Sequence, residues 1–226
     1  MAKENALLFV IIVLSWLTPS LGFTSTKIET TQRIIVIDPG HGGAQSGLIS
    51  RGLKEKAIVL LLAKKIIHTL EPRYNAILTR TRDIAVSSRE RIFLANRNKA
   101  DLYLSIHLHS SDQPRAYFYY FTPPGIKLSS TQTADNEWKS QPLFHQAESK
   151  QVINFLSNIF LAHNKASLCF STGAPILLLE GATMPAILIE PMSILLLPQS
   201  MDEIDTLLDQ YTQLISQSID LYFRKK

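Results

Sequence analysis

The chain has 226 residues, a formal net charge of +4 and a single cysteine, Cys169. The basic residues are scattered rather than clustered, which argues against nucleic acid as a partner, and one cysteine excludes an intrachain disulfide. The length suits one domain with a complete hydrophobic core.

The first 22 residues are predicted to be a signal peptide. Lys3 lies in a short charged region, residues 6–17 form an apolar core, and Ser20 and Gly22 precede an expected cut before Phe23. The apolar run is too short for a comfortable membrane span, although an uncleaved anchor is the alternative. We therefore expect export to the periplasm or cell envelope, a polar leader over residues 23–32, and one domain over residues 33–226 without a stable membrane span.

Strands and helices alternate along this domain. Residues 34–37 predict a buried strand, and the tight turn D-P-G-H-G-G follows at residues 38–43. Apolar spacing and breaking residues then predict helices over residues 53–70, 89–99, 146–164 and 200–224, and strands over residues 74–80, 101–107, 116–122, 175–179 and 184–190. This rhythm indicates an α/β fold.

Polar residues follow several of these apolar strands. His41 and His107 stand at the carboxyl ends of two strands, where α/β sheets form their sites, and Glu55 begins the first helix. A histidine and a carboxylate in these places could converge on one metal ion, although a phosphate-type loop or a plain tight turn would give the same pattern. Glu190 ends an apolar strand, and burying a carboxylate there is costly unless it has a partner or a task.

Six motifs in one order carry a resemblance to a known family. They are D-P-G-H-G-G at 38–43, E-K at 55–56, T-R at 79–80, R-x-x-x-A-N at 91–96, S-I-H at 105–107 and M-P-A-I-L-I-E at 184–190. Together they resemble the zinc-dependent N-acetylmuramoyl-L-alanine amidases that split bacterial cell-wall daughter layers. The likeness runs from about residue 34 to the last helix.

The resemblance implies a fold, a site and an activity. The fold would be a single α/β domain with a mixed, mostly parallel sheet flanked by helices on both faces. One zinc ion would be held by His41, Glu55 and His107, and Glu190 would be the catalytic carboxylate. Three nitrogen and oxygen ligands leave one position open, as catalytic zinc requires. The substrate would be peptidoglycan, cut between the lactyl group of N-acetylmuramic acid and L-alanine, during wall remodelling and cell division by a protein expected to be a monomer.

The sequence also departs from the family pattern. Pro191 and Met192 follow Glu190, where a glycine and an aromatic residue are usual. His109 stands where asparagine is common, and we expect an exposed loop residue; the alternatives are a substrate contact or an adventitious ligand in the outer shell of the metal site. Glu180 occupies a position where arginine is frequent, and the sequence assigns it no role.

Further residues are expected to support or regulate the site. Asp38 is predicted to orient the loop or His41 rather than bind the metal, since carboxylates often position metal-binding histidines. Arg80 and Arg91 are predicted to form structural pairs. In some relatives an inserted helix plugs the zinc site until an activator protein releases it. The corresponding stretch here, residues 122–145, is short for such a helix. If a plug forms, Glu137 could occlude the metal; otherwise Glu137 is an ordinary surface glutamate.

Two other functions stay open at this point. The same site could cut a different amide, which would make the protein a zinc metallopeptidase acting on stem peptides. A non-catalytic protein that binds the wall or regulates another enzyme could also keep this fold. The presence of all four residues, His41, Glu55, His107 and Glu190, argues against the non-catalytic reading.

Overall fold

The computed structural model describes residues 32–124, 138–163, 165–166 and 168–225. The predicted signal peptide and nearly all of the predicted leader lie outside these ranges, so both stay predictions. Within these ranges, no helix is both long enough and apolar enough to span a membrane.

Strands and helices alternate as the sequence predicts. In chain order the elements are β1 (Ile34–Pro39), β2 (Ile49–Ser50), β3 (Leu53–Lys54), α1 (Glu55–Leu70), β4 (Asn75–Leu78), α2 (Ser88–Arg97), β5 (Leu102–Ile106), β6 (Arg115–Phe121), α3 (Gln146–Ala162), β7 (Leu168–Ala174), β8 (Ala186–Glu190) and α4 (Met201–Lys225). Short 3₁₀ turns occupy Gln141–His145, Leu177–Leu179 and Ile194–Leu196.

Six of the strands form one mixed sheet in the order β4-β1-β5-β8-β6-β7. The first four strands of this order are parallel to one another, β6 runs antiparallel to β8, and β7 runs parallel to β6. The predicted mixed, mostly parallel sheet is therefore confirmed. Its parallel part brings the carboxyl ends of β1, β5 and β8 to one edge, where polar residues from distant parts of the sequence can meet.

Helices cover both faces of the sheet. Side chains alternate along β1, so that Ile35 and Ile37 pack with α1, α3 and α4 on one face, and Val36 packs with α2 on the other. Because β1 and β5 are buried on both faces, they read as continuous apolar runs, which is typical of central parallel strands.

Two details of the predicted order are wrong. A short strand was predicted at residues 175–179, but Leu177–Leu179 is a 3₁₀ turn and the strand lies earlier, at Leu168–Ala174. Because β7 is an edge strand with mostly exposed side chains, its sequence lacks an apolar signal. The short hairpin of β2 and β3 was also not predicted, and it delays the start of α1 to Glu55.

Candidate metal centre

The loop after β1 has an unusual backbone that arginine side chains hold in place. His41, Gly42 and Gly43 have φ values of 60°, 120° and 58°, a conformation that glycine adopts at low cost and that other residues resist. Arg91 donates hydrogen bonds to the carbonyls of Pro39 and His41, and Arg80 donates to those of Pro39 and Gly40. These bonds offset the cost of the positive φ at His41.

Asp38 lies fully buried beneath this loop. Its carboxylate forms an ion pair with Arg91 and accepts hydrogen bonds from three hydroxyl groups, those of Thr79, Tyr103 and Ser105. Asp38 therefore connects to the His41 carbonyl through Arg91; its role in orienting the loop or His41 stays a prediction. The predicted structural pairing of Arg91 is confirmed, and the Arg80 guanidinium is likewise buried against backbone carbonyls.

Three potential metal ligands converge above the loop. His41 Nε2 lies 3.0 Å from Glu55 Oε1, and His107 Nδ1 lies 3.1 Å from both of these atoms. His41 comes from the loop after β1, Glu55 from the first turn of α1, and His107 from the residue after β5. We call these three residues the ligand triangle.

The surroundings of Glu55 favour its ionised form. Burial alone would raise its pKa, but hydrogen bonds with His107 and His41 and from the amides of Leu48 and Leu108 outweigh burial and hold the pKa of Glu55 well below its usual range. A carboxylate that stays ionised is ready to bind a cation.

The donor set fits zinc. Two imidazole nitrogens and one carboxylate oxygen form a nearly equilateral triangle with sides of 3.0–3.1 Å; ligands of tetrahedral zinc, with bonds of about 2.0–2.1 Å, lie about 3.3 Å apart. Glycines make this convergence possible, since a Cβ at Gly40 would lie 2.3 Å from the His107 ring and one at Gly47 would lie 2.5 Å from Glu55 Oε2. Three protein ligands leave one position for substrate or water.

Glu190 lies next to this triangle at the end of β8. The backbone amide of His107 donates to the carbonyl of Ile189, so β5 and β8 deliver His107 and Glu190 to the same sheet edge. Burial raises the pKa of Glu190 to about 7; the hydrogen bond from Tyr119 lowers it and the charge of Glu55 raises it further. The pKa of Tyr119 is itself raised to about 12 by burial and by Glu190, so its hydroxyl stays protonated and donates to Glu190 Oε2 over 3.4 Å.

His109 is not the exposed loop residue that the sequence suggested. It is buried, its Nδ1 accepts from the amide of Ser111, and its Nε2 donates to the carbonyl of Arg115. Burial lowers its pKa, which suits this neutral ring. Both nitrogens hold the loop between β5 and β6, which leaves neither for the substrate contact that was one of the alternatives.

A pocket of about 600 Å³ adjoins the triangle. Its wall includes His41, His107 and the first turn of α2, together with residues that the sequence did not single out for a site: Trp138, Leu177, Leu178 and Glu180. No periodic pattern marks these residues, because they come from a 3₁₀ turn, from the turn that follows it, and from a short helical stretch at residues 138–140. The suggested plug over residues 122–145 stays a prediction, since residues 125–137, with Glu137, lie outside the described ranges.

The fold brings together two histidines and a glutamate that could hold a metal ion, and sequence comparison gives the family. Residues 35–219 match the family model described as N-acetylmuramoyl-L-alanine amidase, Amidase_3. The chain belongs to this family, as its motifs predict.

Individual relatives match parts of the chain. An endolysin of Bacillus phage SPP1 is 30% identical over 164 residues, which cover 72% of this chain and 55% of the endolysin. The N-acetylmuramoyl-L-alanine amidase AmiA of Escherichia coli K12 is 40% identical over 104 residues, 44% of this chain and 36% of AmiA. The chain thus spans about half, or less, of the length of these curated relatives.

Solved structures share the fold over most of the chain. The catalytic domain of the amidase CwlV from Bacillus (Paenibacillus) polymyxa var. colistinus has a TM-score of 0.63 at 24% identity, with 86% of this chain and 100% of that one covered. The amidase Ami1 of Mycobacterium smegmatis has a TM-score of 0.64 at 17% identity, with 86% and 98% covered. At these identities the likeness shows the fold.

Proposed function

We propose that this protein is a zinc-dependent amidase that hydrolyses the bond between the lactyl group of N-acetylmuramic acid and L-alanine in peptidoglycan. The observation that carries the proposal is the convergence of His41, Glu55 and His107 within 3.0–3.1 Å of one another beside Glu190. Membership of the amidase family supports the choice of this bond over other amides.

Each residue of the proposed site would have a separate role in hydrolysis. His41, Glu55 and His107 would hold the ion, which when bound would supply a Lewis acid that polarises the amide carbonyl and makes water more acidic. Glu190, with its pKa raised to about 7, would take a proton from the attacking water and give it to the departing nitrogen of L-alanine. A carboxyl with a pKa near the working pH suits both halves of this transfer. Tyr119 would keep Glu190 Oε2 in a fixed orientation through its hydrogen bond.

The setting proposed for this reaction is the cell envelope, with a role in wall remodelling and cell division. The predicted signal peptide supports export, and peptidoglycan would be the partner of a monomeric enzyme. An activator protein is also proposed. In support, the CwlD amidase of Clostridioides difficile, which shares this fold at 22% identity, has been solved in complex with the GerS lipoprotein.

Digestion of purified peptidoglycan tests the proposal. The chain from Phe23 onward would be incubated with the wall, with and without a chelator, beside Glu190→Gln and the control Glu71→Gln, which alters an exposed glutamate at the end of α1. We expect mass spectrometry to find free peptides that begin with L-alanine. Their release should stop on chelation, return with zinc, and fall on the order of 10²–10⁴-fold in Glu190→Gln.

Other products would contradict the proposal in distinguishable ways. Release of shorter fragments from within the stem peptide would make the protein a metallopeptidase. If the folded, zinc-loaded protein binds the wall but releases nothing even after residues 125–137 are deleted, it is a binding or regulatory protein.

A further inference from the structure

We propose that Glu180 binds a primary ammonium group on the peptide part of the substrate and so makes the enzyme selective for stem peptides with a free side-chain amine. This inference rests on the proposed amidase function, because it concerns the pocket beside the same metal centre. Nothing in the sequence motifs assigns Glu180 a role.

The position of Glu180 is the first observation. It lines the pocket of about 600 Å³ that also includes His41 and His107, so a group bound near Glu180 shares one cavity with the ligand triangle. Among the described residues of the pocket wall, Glu180 is the one carboxylate. The peptide that continues from the scissile amide must leave the metal centre along some wall, and this pocket adjoins two of the three ligands.

The second observation is that the backbone around Glu180 is fixed. The side chain of Asn96 donates to the carbonyl of Gly181 over 2.8 Å and accepts from the amide of Thr183 over 3.1 Å. Gly181 has a φ of 80°, and a Cβ there would lie 2.1 Å from the ring of Trp138, so the indole packs directly on this turn. A carboxylate on a rigid turn binds a partner at a smaller entropic cost than one on a flexible loop.

The side chains around Glu180 suit an amine on an aliphatic stem. Leu177, Leu178 and Trp138 supply apolar wall in the same pocket, against which methylene groups can pack. The side chain of Glu180 is 17% exposed, so its carboxylate is shielded from water but accessible to a ligand. A charged hydrogen bond is stronger in such a place than on an open surface.

The neighbouring charges leave Glu180 free to take a ligand cation. Within the described part of the chain, the ammonium of Lys139 lies 3.9 Å from Glu180 Oε1, but the Lys139 side chain is 57% exposed, and pairs with such exposed side chains are weak. Arg91 is paired with the buried Asp38. Arg89 contributes a further positive charge to the pocket wall, which favours a ligand that carries a carboxylate as well as an amine, as a peptide with acidic and diamino residues does.

The chemical consequence is a preference among stem peptides. A lysine or other diamino residue presents an apolar stem and a primary ammonium, whereas cross-linking converts that amine to an uncharged amide. Glu180 should therefore favour stems whose side-chain amine is not cross-linked.

A pair of soluble substrates tests this preference. One is N-acetylmuramoyl-L-Ala-D-isoglutamine-L-Lys with a free ε-amine, and the other is the same compound acetylated on that amine. We expect kcat/KM to be on the order of tenfold higher for the free amine, as a hydrogen bond between charged groups allows. In Glu180→Gln, which keeps the side-chain shape, the preference should disappear, and in the control Glu71→Gln it should persist.

Binding measurements separate this inference from the proposed function. Titration calorimetry would compare both compounds on Glu190→Gln and on the double variant Glu190→Gln/Glu180→Gln. A preference for the free amine that the double variant loses supports the role of Glu180. Equal affinities, binding of neither compound, or an unchanged preference in the double variant overturns it. Failure of the wild-type chain to cleave either substrate would count against the amidase function, and the calorimetric comparison would still decide the role of Glu180.

Discussion

Two polar clusters lie on either side of the loop after β1, and they are organised in opposite ways. Beneath the loop is the support cluster, which we define as Asp38, Arg80 and Arg91 with the hydroxyl groups that bond to Asp38. Its charges are buried, and each has partners of suitable chemistry. Above the loop, the ligand triangle brings three potential metal-ligand atoms within 3.0–3.1 Å of one another. There His107 Nε2 is buried without a hydrogen-bond partner among the described residues.

The difference separates residues that build the site from residues that act in it. A buried charge with all its partners can be tolerated, whereas one that lacks a partner is costly. The loop is common to both clusters, since the arginines of the support cluster bind the carbonyls of the residues that carry His41. The support cluster thus fixes the backbone that presents His41 to the ligand triangle.

Removing Asp38 should have the largest effect, because it breaks the support cluster. Asp38→Ala leaves the buried Arg91 without its ion-pair partner, and a buried charge that loses its partner costs about 3–5 kcal/mol. We expect the free energy of unfolding in urea to fall by this amount in the metal-free protein. The control Asp112→Ala, at an exposed position, should stay within about 0.5 kcal/mol of wild type. A loss of similar size in both variants would mean that the support cluster does not carry the loop.

The sequence predicts the ligand triangle, Glu190 and the charged members of the support cluster, but not the hydroxyl groups that complete that cluster. His41, His107 and Glu190 stand out because each follows an apolar strand, and a parallel sheet gathers such ends at one edge. The hydroxyl partners of Asp38 lie on β5 and after β4, and only the register of three strands brings them to one carboxylate.

The wrong or missing predictions have a related cause, since contacts between distant parts of the chain leave no local pattern in the sequence. His109 was expected to be exposed because it follows a strand in a polar segment. The fold instead buries it against β6, where the centroids of the His109 and Tyr117 rings lie 4.8 Å apart. The edge strand β7 carries no apolar alternation because the sheet buries little of it. Glu180 lies in the pocket because a 3₁₀ turn precedes it and because Asn96 bonds to the backbone of Gly181. Neither feature produces a recognisable pattern in the local sequence.

A methyl group at Gly40 should disturb the ligand triangle and leave the support cluster intact. A Cβ there would lie 2.3 Å from His107 Cε1, so the imidazole must move away from the other ligands. We expect Gly40→Ala to weaken zinc binding at least tenfold by competition with a chromogenic chelator, and to lower the free energy of unfolding by about 1–3 kcal/mol, the range for overpacking.

The matched control is Gly52→Ala, on the hairpin before α1. A Cβ at Gly52 would meet no atom within 4 Å, although its φ of 80° makes alanine mildly strained. Zinc affinity should be unchanged in this variant. Equal loss of zinc affinity in both would show that the close approach at Gly40 does not set the position of His107.

Glu190→Gln should have the smallest effect on stability, and its sign should be opposite to that of the other two changes. The pKa of Glu190 is raised to about 7 in the folded chain, against an ordinary value of about 4.3 in the unfolded chain. The folded state therefore binds a proton more readily, so the stability of the metal-free protein falls as pH rises through this window and stays reduced above it. Glutamine cannot ionise, so the variant avoids that loss. A fully shielded group would give about 4 kcal/mol, and partial exposure reduces the expected gain at pH 8 to about 1–2 kcal/mol. Urea unfolding at pH 4 and pH 8 measures this gain in stability. A gain that is equal at both pH values, or absent at pH 8, would show that ionisation of Glu190 does not destabilise the fold. The contrast between supporting and acting residues would then not extend to the proposed catalytic carboxylate.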